Sequence, residues 1–285
     1  MRLFVFGTGY SSKAFITEIR DRFDWIGGTT RSQEKARDLE DLGVEPFLFD
    51  GQSQGEGIAA ALSSATHVLV SIAPDDAGDP VLNQHGGDIA AARPEWIGYL
   101  STVGVYGNHD GAWVDEETPC KPVSRRSVQR VAAERAWLDF ASAHQLPVQI
   151  FRLSGIYGPG RNVLQKFRNG TARRLVKPGQ VFNRIHVADI AGVLSAAMQR
   201  PATRIFNVTD DEPAPPQDVV TFAADLLGVA PPAEVPFETA DLSPMARSFY
   251  GENKRVSNRR VKDELGYSFR FPDYRTALKD LLASV

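Results

Sequence analysis

An apolar run, Met1-Arg-Leu-Phe-Val-Phe6, stops at two closely spaced glycines. The segment Gly7-Thr-Gly9-Tyr-Ser-Ser12 then leads into a helix-like stretch, Lys13 to Phe23. A buried strand, a tight turn and a helix N-terminus in that order bring backbone N–H groups and the positive end of a helix dipole to one point, which suits a pyrophosphate. Gly7 would permit the turn and Gly9 would let the backbone approach the phosphates. Ser12 stands in the third position of G-x-G-x-x-G and is small enough for helix–strand packing. Tyr10, Ser11 and Ser12, between the glycines and that helix, are further candidate cofactor contacts. Glycines at this spacing also serve turns that bind nothing, so the pattern alone fixes a βα unit rather than a function.

The rest of the first half repeats that unit. Trp25 to Thr30, Val44 to Phe49, His67 to Ala73 and Trp96 to Ser101 read as strands, with helices over Ser32 to Leu42 and Gln54 to Ser63. Crossovers of this length favour parallel strands, and near-continuous apolar strands imply a sheet covered on both faces. The expected fold is α/β, a doubly wound parallel sheet of Rossmann type. A long helix, Ser124 to His144, precedes a sixth strand, Pro147 to Leu153, and Arg204 to Val208 reads as another strand, followed by a helix over Pro216 to Leu227. Gly228 to Pro236 reads as a proline-rich linker, and Pro272 to Leu282 as a closing helix with Tyr274, Leu278, Leu281 and Leu282 on its apolar side. The expected organisation is a dinucleotide-binding domain over 1–155, with 181–228 returning to it. A smaller C-terminal substrate-binding lobe takes 156–180 and 229–285, including the closing helix.

In such a site the end of the second strand lies beside the adenosine ribose, where an acidic residue would bind the 2′-hydroxyl of NAD. This chain has Thr29-Thr30-Arg31-Ser32 there. An arginine with hydroxyls suits a 2′-phosphate, so NADP is the expected cofactor, with NAD as the alternative. Ser32 could equally cap the next helix, with Arg31 a solvated residue. Asp50, after the third strand, is placed to accept from the adenine amine or to form a turn before Gly51. Ala73, at the end of the fourth strand, completes the candidate cofactor contacts.

The net charge of −3 gives no whole-chain attraction to nucleic acid or to an anionic membrane, and no stretch approaches the length of a membrane span. The N-terminus is too short in apolar residues for a signal peptide, so a cytoplasmic location is expected. The single cysteine, Cys120, cannot form an internal disulfide, and its polar Thr-Pro-Cys-Lys-Pro setting lacks a histidine to activate it. The five histidines, His67, His85, His109, His144 and His186, show no metal-ligand spacing, so no metal is expected.

Four further strings occur in order: Ser101-Thr-Val-Gly-Val-Tyr-Gly107, Phe151-Arg-Leu-Ser-Gly-Ile-Tyr-Gly-Pro-Gly160, Arg184-Ile-His-Val-Ala-Asp189 and Ile205-Phe-Asn-Val-Thr-Asp210. They resemble the extended short-chain dehydrogenase/reductase family, which includes nucleotide-sugar epimerases and dehydratases, over nearly the whole chain, although the glycine spacing departs from the G-x-x-G-x-x-G usual in that family. The resemblance implies that Thr102 matches the catalytic serine or threonine. It also implies a Tyr-x-x-x-Lys pair on the long helix, and the frame running from Pro122 to Ala132-Ala133-Glu134 puts Arg126 in the tyrosine slot and Arg130 in the lysine slot. The sequence therefore looks like an atypical subgroup of the family, and His186 is implied to be a structural corner. A helix-paired homodimer, common in the family, is left open.

The departure bears on chemistry. A guanidinium has no useful deprotonated form near neutrality, so Arg126 can hydrogen-bond or stabilise an oxyanion but cannot shuttle a proton, while Arg130 could still contact the ribose or a phosphate. Tyr106 and Tyr157, at strand ends, are the candidate substitutes, with Tyr106 the nearer to Thr102 in sequence. From Arg161 to Lys177 six basic residues, Arg161, Lys166, Arg168, Arg173, Arg174 and Lys177, occur with no acidic one. By resemblance this stretch enters the substrate lobe, so Arg173, Arg174 and Arg184 are the candidate contacts for an anionic small-molecule substrate; the alternative is a solvated basic face. Two functions stay open: an NADP-dependent oxidoreductase or epimerase-like enzyme on an anionic or sugar-like molecule, and an NADP-binding sensor or scaffold without turnover.

Overall fold

The computed structural model describes residues 1–284. Its centre is a seven-stranded, all-parallel sheet made of β1 (Arg2–Phe6), β2 (Trp25–Thr30), β3 (Glu45–Leu48), β4 (His67–Val70), β5 (Trp96–Thr102), β6 (Val148–Leu153) and β7 (Arg204–Val208). The spatial order is β7-β6-β5-β4-β1-β2-β3, so the winding reverses between β1 and β4. Ligands of open parallel sheets bind outside the carboxyl ends of the strands at that reversal.

Both faces of the sheet are covered, as the apolar strands require. Along β1 the side chains alternate: Leu3 and Val5 join a core with α1 (Tyr10–Ile19) and α7 (Val187–Ala197). Phe4 and Phe6 join a second core with α3 (Ile58–Leu62), α4 (Pro80–Ala92) and α5 (Arg125–His144). α2 (Gln33–Glu40) sits between β2 and β3 in sequence, and the short α6 (Val163–Arg168) follows β6. A separate core of Leu164, Ala214, Val219, Ala223, Tyr274, Leu278 and Leu281 joins α6 to α8 (Pro216–Leu227) and α11 (Tyr274–Ala283). The chain between them carries α9 (Pro244–Phe249) and α10 (Arg259–Leu265).

Several boundaries differ from the sequence expectation, each for a local reason. The first helix starts at Tyr10 rather than Lys13 and ends at Ile19, with a single 3₁₀ turn over Arg20–Arg22. The helix expected from Gln54 contracts to Ile58–Leu62 because Gly55 (φ +70°) and Gly57 (φ +76°) are left-handed. The fourth strand ends at Val70 rather than Ala73: its last partner on β1 is Phe6, after which the chain turns out of the sheet at Gly7. The expected linker 228–236 contains a short strand, Glu234–Pro236, pairing in parallel with Arg174–Val176. Among the described residues no helix is long and apolar enough to cross a membrane.

Candidate functional site

The first βα turn lies at the reversal point. Gly7 has φ +87°, and a Cβ there would stand 2.9 Å from Ile72 Cγ1 and 3.2 Å from the Ser71 carbonyl carbon, so β4's exit makes this glycine obligatory. The N–H groups of the turn itself are spent inside the protein. Gly7 N–H donates to Thr29 Oγ1 (2.8 Å), Thr8 N–H to Thr29 O (3.1 Å) and Gly9 N–H to Gly7 O (2.9 Å). What remains for an anion is the start of α1. The first intrahelical bond runs from Lys13 N to Gly9 O (2.8 Å), and no side chain caps the helix. The N–H groups of Tyr10, Ser11 and Ser12 thus have no intrahelical acceptor. Ser12 is fully buried and donates its hydroxyl to Gly7 O (2.9 Å), which replaces the third glycine with a brace.

Gly9 discriminates between a turn glycine and a ligand glycine. Its φ of −94° suits any residue, and a Cβ there would meet nothing within 4 Å. Neither backbone strain nor packing inside this chain explains a glycine at that position. A dinucleotide phosphate laid against the backbone would, so the residues present fit such a group.

Around this turn the other candidates take definite places. Arg31 is exposed directly after β2, and among the described residues no ion pair or side-chain hydrogen bond engages it. Ser32 caps α2 by accepting from Lys35 N–H, and Thr30 is half-buried at the strand end. Asp50 is drawn into the turn before Gly51: Oδ1 accepts from Gln52 N–H (2.8 Å) and Ser53 N–H (3.3 Å), bonds that hold its carboxyl below the usual range. Of its two expected roles, the structure displays the turn. Ala73 is exposed in the loop after β4.

The catalytic candidates separate into open and closed positions. Thr102 ends β5, half-buried, and its hydroxyl oxygen accepts from Gly104 N–H (3.1 Å). Arg126 is exposed in the first turn of α5. Its neighbours Arg125 and Gln129 both reach Asp76 in the loop after β4, at 2.9 and 2.5 Å. Arg130 points back to β5, donating to Tyr99 Oη (2.8 Å) and Leu100 O (2.9 Å).

Tyr106 is not on the cleft. It is fully buried, donates its hydroxyl to Asn207 Oδ1 (2.8 Å) and accepts from Arg152 Nη1 (2.9 Å). Burial pushes its pKa up to about 12, and its engagement by Asn207 and Arg152 inside the protein keeps the hydroxyl away from a substrate in the cleft. Tyr157 fails for a similar reason. Its hydroxyl is enclosed without a partner, its ring packs edge-on against His186 at 5.3 Å, and burial raises its pKa.

The expected substrate arginines are likewise engaged by protein. Arg173 donates to Asp241 O (2.9 Å), and Arg174 pairs with Glu234 across the small strand pair. Arg184 donates to Phe182 O (2.9 Å) and Ala214 O (3.1 Å) and feels the charge of the buried Asp210 carboxyl. Of the six basic residues in 161–177, Arg173, Arg174 and Lys177, which donates to Tyr250 O, are thus bonded within the protein. Cys120 is half-buried, with Sγ 3.4 Å from Arg152 Nη2 and its pKa raised by burial, so it is no activated nucleophile. Among the described residues no cluster could hold a metal ion.

Sequence reasoning missed the buried group behind β5. Glu134 on α5 pairs with Arg152 on β6 (2.7 Å) and also accepts from Ser101 next to Thr102. The spacing of Arg126, Arg130 and Glu134, four residues apart each time, was the available signal.

His186 does form a corner. Nδ1 accepts from Ala188 N–H (3.3 Å) at the start of α7, which leaves the proton on Nε2. Burial lowers its pKa from the usual 6.5 to about 4. An unfolded chain therefore takes up this proton between pH 6.5 and about 4 while the folded one does not, so stability falls as pH falls through that window. The buried carboxyl of Asp210 is shifted upward and acts in the opposite sense, so the measurable quantity is a difference. His186→Asn keeps an acceptor for Ala188. The gap in urea midpoint between wild type and this variant should narrow from pH 7 to pH 4; a constant gap would mean that the imidazole does not titrate as described.

Taken together, the reversal-point turn, the uncapped start of α1 and the strand-end residues around it define a dinucleotide-binding α/β protein. The model of the NAD dependent epimerase/dehydratase family matches residues 89–209. A solved structure of a functionally unknown conserved protein from Silicibacter pomeroyi is 48% identical, covers 99% of this chain and 98% of its own, and superposes with a TM-score of 0.91. Protein YeeZ of Escherichia coli K12 is 33% identical over 191 residues, 64% of this chain and 61% of that protein, so the match spans less than two thirds of this relative's length. A human epimerase family protein solved with NADPH, 20% identical with full coverage and a TM-score of 0.73, shares the fold. Residues 89–209 thus form an NAD dependent epimerase/dehydratase domain by similarity. NAD stands in the family's description and NADPH in the human fold neighbour. The arginine in the tyrosine slot fits an atypical branch.

Proposed function

We propose that this chain binds NADP in preference to NAD and carries out redox or epimerase-like chemistry on a small anionic or sugar-like molecule without a tyrosine acid/base. The observation that carries the reading is the free space over Gly9, beside an uncapped α1, where no packing inside the chain calls for glycine. When bound, the cofactor would supply the hydride. Tyr10, Ser11 and Ser12 would offer backbone N–H groups to the pyrophosphate, and Arg31 with Thr30 would take the 2′-phosphate. Thr102 would orient the substrate oxygen. Arg126 would stabilise negative charge developing on it, with the proton exchanged with the solvent to which this arginine is exposed. A lost general acid or base typically costs ~10²–10⁴-fold, which slows such an enzyme without abolishing it.

A second reading, a cofactor-bound sensor or scaffold without turnover, is favoured by the enclosure of both Tyr106 and Tyr157 hydroxyls. Titration of the purified chain with NADPH and NADH, followed by oxidation assays on phosphorylated sugars and carbonyl compounds, separates the two. Binding with turnover is the expected result. Binding with no turnover across a broad panel would favour the sensor, and no binding of either nucleotide would overturn both readings.

A further inference from the structure

A side chain of the phosphate turn reaches the segment that follows β6. Tyr10, the first residue of α1, donates its hydroxyl to Pro159 O at 2.9 Å. Pro159 and Gly160 are the central residues of a turn closed by two reciprocal bonds, Gly158 N–H to Arg161 O and Arg161 N–H to Gly158 O, both 3.0 Å. Gly160 has φ +70°, which a proline followed by a left-handed glycine provides without strain. The fit against α1 is close: a Cβ at Gly158 would lie 2.7 Å from Tyr10 Oη and 2.8 Å from Val187 Cγ1.

This turn sets the guanidinium of Arg161 over the Tyr10 ring, 5.8 Å from its centroid. Arg173, Arg174 and Arg184 all have protein partners. Arg161 is exposed, and among the described residues no carboxylate pairs with it. A cation held over an aromatic ring at an exposed site gains only about 0.5–1 kcal/mol, enough to bias its position and too little to satisfy its donors.

We infer that the Gly158–Arg161 turn forms the outer wall of the dinucleotide site and that Arg161 donates to the pyrophosphate, across from the N–H groups of α1. The inference rests on the dinucleotide reading above. It adds that the cofactor is gripped from both lobes, with Tyr10 as the hinge pin between them. Arginine's fork of donors matches phosphate oxygens, and the backbone N–H groups opposite carry only partial charge.

The test is calorimetric titration of wild type and Arg161→Ala with NADPH, NADH and ADP. ADP keeps the diphosphate and lacks the nicotinamide half. Arg161→Ala should bind all three about tenfold more weakly, the equivalent of about 1.4 kcal/mol, and with a shallower dependence on salt. Arg161→Lys should recover part of the loss. Unchanged affinities in a variant whose wild-type parent binds would overturn the assignment of Arg161 alone. Loss for the dinucleotides with ADP unaffected would move Arg161 to the nicotinamide end and overturn the pyrophosphate contact. Failure of the wild type to bind any of the three would instead sink the underlying cofactor reading.

Discussion

Arg152→Ala should destabilise the fold by about 3–5 kcal/mol, read as a lower urea midpoint at an unchanged slope. The guanidinium is 4% exposed as a residue and donates to Glu134 through Nε and Nη2, to Tyr106 Oη and toward Cys120 Sγ. Removing it leaves the Glu134 carboxylate buried with only the Ser101 hydroxyl, and leaves Tyr106 without its cationic donor. The expense lies in the orphaned charge rather than in the lost attraction, so the double change Arg152→Met with Glu134→Leu should be milder than either single truncation. Glu134 lies two helical turns beyond Arg126 on α5, and Ser101 adjoins Thr102. The pair therefore also fixes how α5 faces the end of β5, and the single variant should lose nucleotide affinity along with stability. A loss below about 1 kcal/mol would mean that water reaches the carboxylate and that the group is not sealed.

Much of the sheet was legible because its strands are short apolar runs separated by turn chemistry. Trp25–Thr30 and Arg204–Val208 coincide with the expected limits. α4 was hidden for a definable reason. Its buried positions, Val81, His85 and Ile89, do repeat every fourth residue, but Asn83, Gly86 and Gly87 dilute the pattern with poor helix formers. α7 was hidden for the opposite reason: Val187, Ile190, Ala191, Val193 and Leu194 are buried all round, so no polar face marks the period. Its Gly192 faces Tyr267, whose ring would lie within 2.6 Å of a Cβ, and such a contact between distant segments leaves no local trace.

In the site, residue types were legible but directions were not. Tyr106 and Thr102 are four residues apart and both near the end of β5, yet one is sealed and the other half-open. The difference comes from Asn207 and Arg152 on neighbouring strands, which the sequence of the Val-Tyr-Gly string does not contain. Likewise the basic stretch announced charge, while the identity of its partners, Glu234 and the Asp241 carbonyl, depended on how the distal segment folds back.

Arg31→Glu should reverse the cofactor preference. Each hydroxyl near the end of β2 already has a task or a limit: Thr29 Oγ1 accepts from Gly7 N–H, Ser32 Oγ caps α2, and Thr30 is half-buried. Discrimination between a 2′-phosphate and a 2′-hydroxyl then falls mainly on Arg31, the exposed cation there. A hydrogen bond to a charged group contributes about 1.5–3 kcal/mol, so Arg31→Ala should weaken NADPH by roughly ten- to a hundredfold and leave NADH nearly unchanged. The glutamate goes further, because it adds repulsion toward the 2′-phosphate while offering an acceptor to the 2′-hydroxyl of NADH. NADPH should weaken by more than about a hundredfold and NADH should hold or tighten. As an exposed side chain without protein partners, position 31 should leave the unfolding midpoint within about 0.5 kcal/mol of wild type, so a change in affinity cannot be ascribed to misfolding. Salt supplies the internal control: the wild-type preference for NADPH should shrink as ionic strength rises, and the preference of Arg31→Ala should not. An unaltered NADPH-to-NADH ratio in both variants would show that the 2′-position is read elsewhere, and the NADP assignment would fall with it.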